Sequence, residues 1–217
     1  EIAERYQISV MPNLVMIDGE TYEDNINISH QQFYDRLPQM KTLPTTATAS
    51  SGSYLALYED LFRRGVTHII SIHASALLSG IINAASLAAQ NFGDRVHIID
   101  SGQITMALGF QVMAAAEDAD RGLSLESILN HLAGLHPRSR LLAMLDTLEY
   151  IHRSGRVSWA QASLGSLLDI KPFIEVKDGR ILRIGEVRSR ARGIQRLVDL
   201  IKAMAPFERL AILHTNS

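Results

Sequence analysis

Small hydroxyl residues cluster at two points where the sequence predicts that a helix begins. The segment Pro44–Ser50 is rich in threonine and serine and includes Thr46. The segment Ser75–Gly80 follows a short run of β-forming residues and contains Ser79. A hydroxyl and the free N–H groups of a helix start can together hold a carboxylate or a phosphate, but an ordinary helix cap explains the same residues and is favoured from the residues alone. Both interpretations stay open at this point.

Two further segments place polar groups at turns. Asp100-Ser101-Gly102 follows a predicted strand, and its composition favours a turn over a polar site. In the segment Ser154–Ser158, Arg156 stands beside a glycine. There its planar guanidinium could bind an anion or the carboxylate of a partner, with a surface turn as the alternative.

Basic residues are frequent near the C-terminal end of the chain. They are Arg183, Arg188, Arg190, Arg192, Arg196 and Lys202. A nucleic-acid-binding role would give them phosphate contacts. The stretch lacks interleaved aromatic residues, however, and Glu186 and Asp199 dilute its charge. We therefore interpret these basic residues first as parts of solvent-exposed helix and hairpin faces, and second as a protein-docking face.

The composition excludes several kinds of function. The 217 residues carry a net charge of −2, which argues against a dedicated nucleic-acid binder. The absence of cysteine excludes disulfides and thiolate metal sites, and the eight histidines lack metal-ligand spacing. No apolar run is long enough to cross a bilayer, and no phosphate-binding or nucleophile motif is present. We therefore expect a cytoplasmic protein without metal, cofactor or stable membrane insertion.

The elements that position these segments alternate between strand and helix. The sequence predicts strands at His68–Ile72, Val96–Ile99 and Leu141–Leu145, separated by helices at Ser79–Phe92 and Gln103–Arg121. This rhythm is typical of parallel βαβ units. A loop is predicted from residue 41 to residue 53, ahead of a helix with an apolar stripe that ends at a glycine.

The pattern changes after Pro137. Two β-rich runs flank Asp178-Gly179, which predicts an antiparallel hairpin. Short helices are expected at Leu148–Arg153 and Trp159–Leu168, a longer one at Ser189–Ala205, and a final strand at Leu210–His214. The predicted fold class is α/β, with a parallel-sheet βαβ N-terminal domain at residues 1–137. A mixed α+β second domain follows at residues 138–217.

Taken in order, these segments resemble the DegV family. The matching segments are Met11-Pro12 through Asp18-Gly19 to Tyr22-Glu23-Asp24, Pro44–Ser50, Ser75–Ile81, Ile99-Asp100-Ser101, Leu148–Ser158, Ile170-Lys171-Pro172, Asp178-Gly179 and Val187-Arg188. The ordered set spans nearly the whole chain. The chain lacks the family's N-terminal Asp-Ser-Thr strand end and its C-terminal His-Thr-Gly-Pro-Gly-like motif, so the resemblance implies truncation at both ends.

The resemblance implies a two-domain protein that buries a long-chain fatty acid between its domains and is not itself an enzyme. The family is similar to the binding subunit of bacterial fatty-acid kinase, which presents the acyl carboxylate to a separate ATP-dependent kinase subunit. By position, the carboxylate ligands are Thr46 and Ser79. Ser75, Gly80, Arg156 and Arg188 are candidates for a further polar site or for partner docking.

Two other hypotheses remain open at this point. The first is a small-molecule enzyme acting on an acidic or phosphorylated substrate at the Ser79 helix start. The second is a regulatory or DNA-binding protein that uses the arginines around Arg188 to Arg196, which predicts salt-sensitive nucleic-acid binding.

Overall fold

The computed structural model describes residues 2–161 and 170–215. The strands are β1 Leu14–Ile17, β2 Glu20–Glu23, β3 Thr45–Ala47, β4 Ile69–His73, β5 Val96–Asp100, β6 Leu141–Met144, β7 Lys171–Lys177 and β8 Arg180–Val187. The α-helices are α1 Ile2–Arg5, α2 His30–Arg36, α3 Ser51–Arg63, α4 Ile81–Ala89, α5 Thr105–Asp120, α6 Leu125–Leu135, α7 Glu149–Arg153, α8 Ser158–Gln161 and α9 Arg190–Met204.

The first sheet is antiparallel, with the strand order β2-β1-β3. A turn at Asp18-Gly19 joins β1 to β2. The loop predicted for residues 41–53 is wrong in part, because β3 pairs with β1 there and Thr46 lies opposite Val15. Threonine is β-branched and tolerates an extended backbone, and β1 offers it a free edge.

A parallel pair of strands, β4 and β5, forms the centre of the first part of the chain. Ile69 faces a core that contains Tyr54 and Tyr58 of α3 and the alanines of α4. The next residue, Ile70, packs on the opposite face against a core built from α5 and α6. Successive strand side chains point to opposite faces, so this pair carries helices on both sides. The predicted parallel βαβ arrangement is confirmed here.

The third sheet has the order β6-β7-β8 and is antiparallel. The strand predicted at Leu141–Leu145 exists as β6, but it does not extend the parallel pair. It instead pairs with β7, where Leu141 lies opposite Val176. Hydrophobic periodicity identifies a strand but not its partner, and β7 is the central, almost fully buried strand of this sheet.

The end of the described chain differs from the prediction. Helix α9 begins after its N-cap, Ser189, as expected. The strand predicted at Leu210–His214 is wrong, because none of the described residues from 205 to 215 lies in a strand. Ile212 is 81% exposed and none of the described strands pairs with this segment, so a β-forming composition alone does not make it a strand.

The predicted helix Trp159–Leu168 overlaps α8, and residues 162–169 lie outside the described residues. Among the residues that the structure describes, no helix has both the length and the apolar character needed to span a membrane.

Candidate functional site

The loops that follow β4 and β5 are joined at the carboxyl ends of these two parallel strands. The Asp100 carboxylate accepts hydrogen bonds from the N–H of Ala76 at 3.2 Å and from the N–H of Gly102 at 2.9 Å. The N–H of Ser75 donates to the carbonyl of Gln103 at 3.0 Å. Asp100-Ser101-Gly102 therefore has a structural role at the edge where open α/β sheets bind their ligands.

Ser79 lies in the loop between β4 and α4 and is half-buried. Helix α4 begins at Ile81 with Gly80, not Ser79, as its N-cap. The Ser79 Oγ accepts the N–H of Ile81 at 3.3 Å, and its own O–H makes no hydrogen bond to the described residues. A hydroxyl can donate one hydrogen bond while it accepts another, whereas the N–H groups of Ile81 and Asn83 are already bonded to Ser79 Oγ and to the carbonyl of Gly80. This corner can therefore donate to an anion.

Thr46 is exposed on β3, five residues ahead of α3. It does not cap that helix, because the Ser50 hydroxyl accepts the N–H of Ser53 and performs this role. The N-terminus of α3 lies at the carboxyl end of β4. The ring of Tyr54, in the first turn of α3, packs edge-on against the ring of His73, the last residue of β4, at a centroid distance of 5.6 Å.

The two hydroxyl segments thus lie at the same edge of the sheet. Helices α3 and α4 pack side by side. One apolar cluster contains Ala49, three residues after Thr46, and has Ile81, two residues after Ser79, packed against it. Helix α3 leads into β4 and α4 leads out of it, so both run antiparallel to the strand and both begin at its carboxyl end.

Ser75 and Gly80 have different environments. Ser75 is fully buried, and its Oγ donates to the carbonyl of Gly179 at 2.8 Å. A Cβ atom at position 179 would lie 2.7 Å from that Oγ, and the backbone there has a φ of +74°. Glycine is therefore required at the tip of the β7–β8 hairpin. Gly80 is exposed, and a Cβ there would meet open space.

The two candidate arginines lie apart. The Arg156 Nε donates to the carbonyl of Leu78 at 2.8 Å, immediately before Ser79. The hairpin tip that contacts Ser75 lies just before the first residue of β8. Arg188 lies just after the last residue of the same strand. An eight-residue strand spans roughly 25 Å, so Arg188 lies at the opposite end of the sheet from the Ser79 loop.

A buried polar network lies beneath this edge, and sequence reasoning did not find it. Tyr58 Oη contacts Ser71 Oγ at 2.8 Å, and Ser71 Oγ contacts His73 Nε2 at 2.8 Å. Burial lowers the pKa of His73 to about 4, although the charge of Asp100 acts in the opposite direction. Burial also raises the pKa of Tyr54 to about 12. The sequence pattern that could have indicated this network is Tyr54 and Tyr58, four residues apart, ahead of His73 at the end of a strand.

Described residues line surface clefts at two places that do not include Thr46 or Ser79. A cleft of about 410 Å³ lies between β8 and α9 and carries side chains of both charge signs, including Arg192 and Asp199. A cleft of about 300 Å³ is lined by Glu117 and its neighbours. Within residues 2–161 and 170–215, no cluster of three or more histidine, aspartate or glutamate side chains is arranged to hold a metal ion.

Comparison with known proteins shows one consistent relationship. The family described as "Uncharacterised protein, DegV family" matches residues 1–217. Protein DegV of Bacillus subtilis is 34% identical over 223 residues, which cover 100% of this chain and 78% of that protein.

Solved structures show the same relationship. A DegV family protein from Thermus thermophilus, described by its fatty acid binding, superposes with a TM-score of 0.85 at 30% identity, covering 93% of this chain and 72% of that one. The B. subtilis structure, described as DegV, a fatty acid binding protein, gives a TM-score of 0.82 at 32% identity over the same shares. The chain belongs to the DegV family.

Proposed function

We propose that this chain binds a long-chain fatty acid and holds its carboxylate with the hydroxyls of Thr46 and Ser79. The observation that carries the proposal is the common position of the α3 and α4 N-termini at the carboxyl end of β4, which brings both hydroxyl segments to one edge. The T. thermophilus and B. subtilis relatives, described as fatty acid binding, support the ligand class.

The donor set suits a carboxylate attached to an apolar chain. A carboxylate that leaves water is destabilised unless hydrogen bonds replace its hydration. The hydroxyls of Ser79 and Thr46 can each supply one such bond. Each buried CH₂ of the acyl chain contributes about 0.8 kcal/mol. The tail therefore supplies most of the affinity, while the hydroxyls determine which end of the ligand lies at this edge.

Fatty-acid titration of the delipidated protein tests the proposal. We expect oleate to bind, and Thr46→Val and Ser79→Ala each to weaken binding roughly 10-fold or more, the effect of losing a hydrogen bond to a charged group. Thr45→Val and Ser86→Ala are matched controls. Thr45 precedes Thr46 on β3 and points to the other face of the strand, and Ser86 lies farther along α4. Unchanged affinity in both site variants would reject the carboxylate assignment, and absence of oleate binding would reject the function.

We further propose that the bound acid is presented to a separate, cytoplasmic, ATP-dependent fatty-acid kinase subunit. The support is the resemblance of the ordered motifs to the binding subunit of such a kinase. The kinase would transfer the γ-phosphoryl group of ATP to the carboxylate, giving an acyl phosphate and ADP. Trapping with hydroxylamine should yield an acyl hydroxamate only when kinase, ATP and the loaded chain are all present. No product with a kinase that is active on another family member would count against presentation.

The domain division at residues 137 and 138 and the docking role of Arg156 and Arg188 are parts of the same proposal. In support of the division, and among the described strands, those of the first part pair with each other and β6 pairs only with β7. The two arginines are separated by about the length of β8, so one partner surface contacting both would extend roughly 25 Å. Charge reversal at both positions, followed by a kinase pull-down, tests this docking.

A further inference from the structure

We infer that Arg156 is a positioning residue for the Ser79 hydroxyl, an inference that rests on the proposed function. The two residues belong to different parts of the chain. Arg156 is 78 residues from Leu78 in sequence, yet its Nε donates to the Leu78 carbonyl at 2.8 Å. The guanidinium therefore contacts the loop that carries Ser79 from the second part of the molecule.

The hydrogen bond acts on a single peptide plane. The carbonyl of Leu78 and the N–H of Ser79 belong to the same planar peptide unit. Arg156 binds the carbonyl side of that unit, and the carbonyl of Ser75 accepts its N–H at 3.0 Å. With both sides bonded, the plane cannot rotate freely, and its orientation sets the direction of the Ser79 side chain.

The backbone on both sides of the Arg156–Leu78 hydrogen bond is held in place by other contacts. Leu78 is buried, with 9% of its surface exposed, and its N–H donates to the carbonyl of Ser75 at 3.0 Å. On the other side, the Ser154 hydroxyl accepts the N–H of Arg156 at 3.3 Å, and Val157 is buried. A long exposed side chain normally loses much of a hydrogen bond's value to its own flexibility. Here the backbone at both ends is held in place.

Oleate affinity in a double-mutant cycle tests the role. We expect Arg156→Ala to weaken oleate binding about fivefold, which corresponds to about 1 kcal/mol, the net value of one hydrogen bond. In the Ser79→Ala background the same change should cost less than about twofold, because the hydroxyl that Arg156 orients is absent. Arg153→Ala is the matched control, since Arg153 pairs with Glu149 at 2.9 Å on the preceding helix. It should leave affinity unchanged.

A second variant separates hydrogen bonding from charge and from folding. In Arg156→Gln, the amide nitrogen stands the same number of bonds from the backbone as the arginine Nε, so the donor is retained and the charge is lost. We expect this variant to recover most of the oleate affinity. Oleyl alcohol provides the complementary probe. It lacks the carboxylate, so its affinity should change less than twofold in Arg156→Ala.

The outcomes separate the inference from the function on which it rests. If the unmodified protein does not bind oleate, the proposed function fails. If oleate binds and Ser79→Ala weakens it, three results would each overturn the positioning role. They are unchanged affinity in Arg156→Ala, an equal loss in both backgrounds, and an equal loss for oleate and oleyl alcohol. Thermal unfolding of each variant shows whether a loss of affinity follows from a loss of fold.

Discussion

His73 should make the stability of this protein fall in mild acid. The side chain is the last of β4 and is 6% exposed. It contacts the Ser71 hydroxyl and packs against the ring of Tyr54. Burial lowers the pKa of His73 to about 4. The charge of Asp100 on β5 raises this pKa, but its effect is smaller than that of burial. Folding therefore favours the neutral imidazole.

The magnitude follows from proton linkage. The unfolded chain has the ordinary histidine pKa of 6.5, and the folded protein a pKa of about 4. Because the unfolded state takes up the proton first, this stabilisation is fully present above pH 6.5. It is lost as the pH falls from 6.5 towards 4. One pKa unit corresponds to about 1.4 kcal/mol, so about 2 kcal/mol is lost by pH 5.

Urea unfolding at pH 7 and pH 5 measures the effect. Between these two values, we expect the unmodified protein to lose about 2 kcal/mol more than His73→Gln, which cannot titrate in this range. Carboxylates titrate in both proteins, so most of their contribution cancels in the comparison. His68→Gln is the matched control, because His68 is exposed just before the same strand. Equal pH dependence in the unmodified protein and His73→Gln would refute the reasoning.

Two other features have measurable consequences. Gly179→Ala should destabilise the fold by at least about 1 kcal/mol more than Gly19→Ala in urea. Both glycines have positive φ, but only a Cβ at 179 meets Ser75, and equal losses would contradict this packing argument. The hydrogen bond from Arg209 is the largest cause that lowers the pKa of Glu117. In Arg209→Ala, an NMR titration should show the pKa of Glu117 rising towards its ordinary value, and an unchanged pKa would exclude that cause.

Local chemistry in the sequence predicts the elements well where neighbouring residues decide them. Ser189 was expected at the start of a helix, and its side chain accepts the N–H of Arg192, three residues ahead. Asp178-Gly179 was expected to turn a hairpin, and both residues have the positive φ of a tight turn. Each of these outcomes depends on a few consecutive residues, whose conformational preferences are sufficient.

Pairings between distant residues could not be predicted in this way. The sequence identifies β6 as a strand but not its antiparallel pairing with β7. It also predicts a loop in the threonine-rich segment where β3 forms. The contact between Ser75 and Gly179 joins residues 104 positions apart. Such pairings depend on which strand edges and surfaces remain free after the other elements pack. A local sequence pattern does not contain this information. The family resemblance located the hydroxyl segments, whereas only the structure shows what holds them.

Those supports explain why the proposed function assigns the ligand contact in this loop to Ser79 and not to its neighbours. Asp100 binds the N–H of Ala76, Gly179 binds the hydroxyl of Ser75, and Arg156 binds the carbonyl of Leu78. Each bond engages a polar group that is then unavailable to a ligand, while the Ser79 O–H bonds none of the described residues and can donate to one. Ordering a mobile side chain on binding costs about 0.5–1.5 kcal/mol, and a loop already held avoids much of that cost. Loosening any of the three supports should therefore weaken binding of an acid more than binding of the matching alcohol.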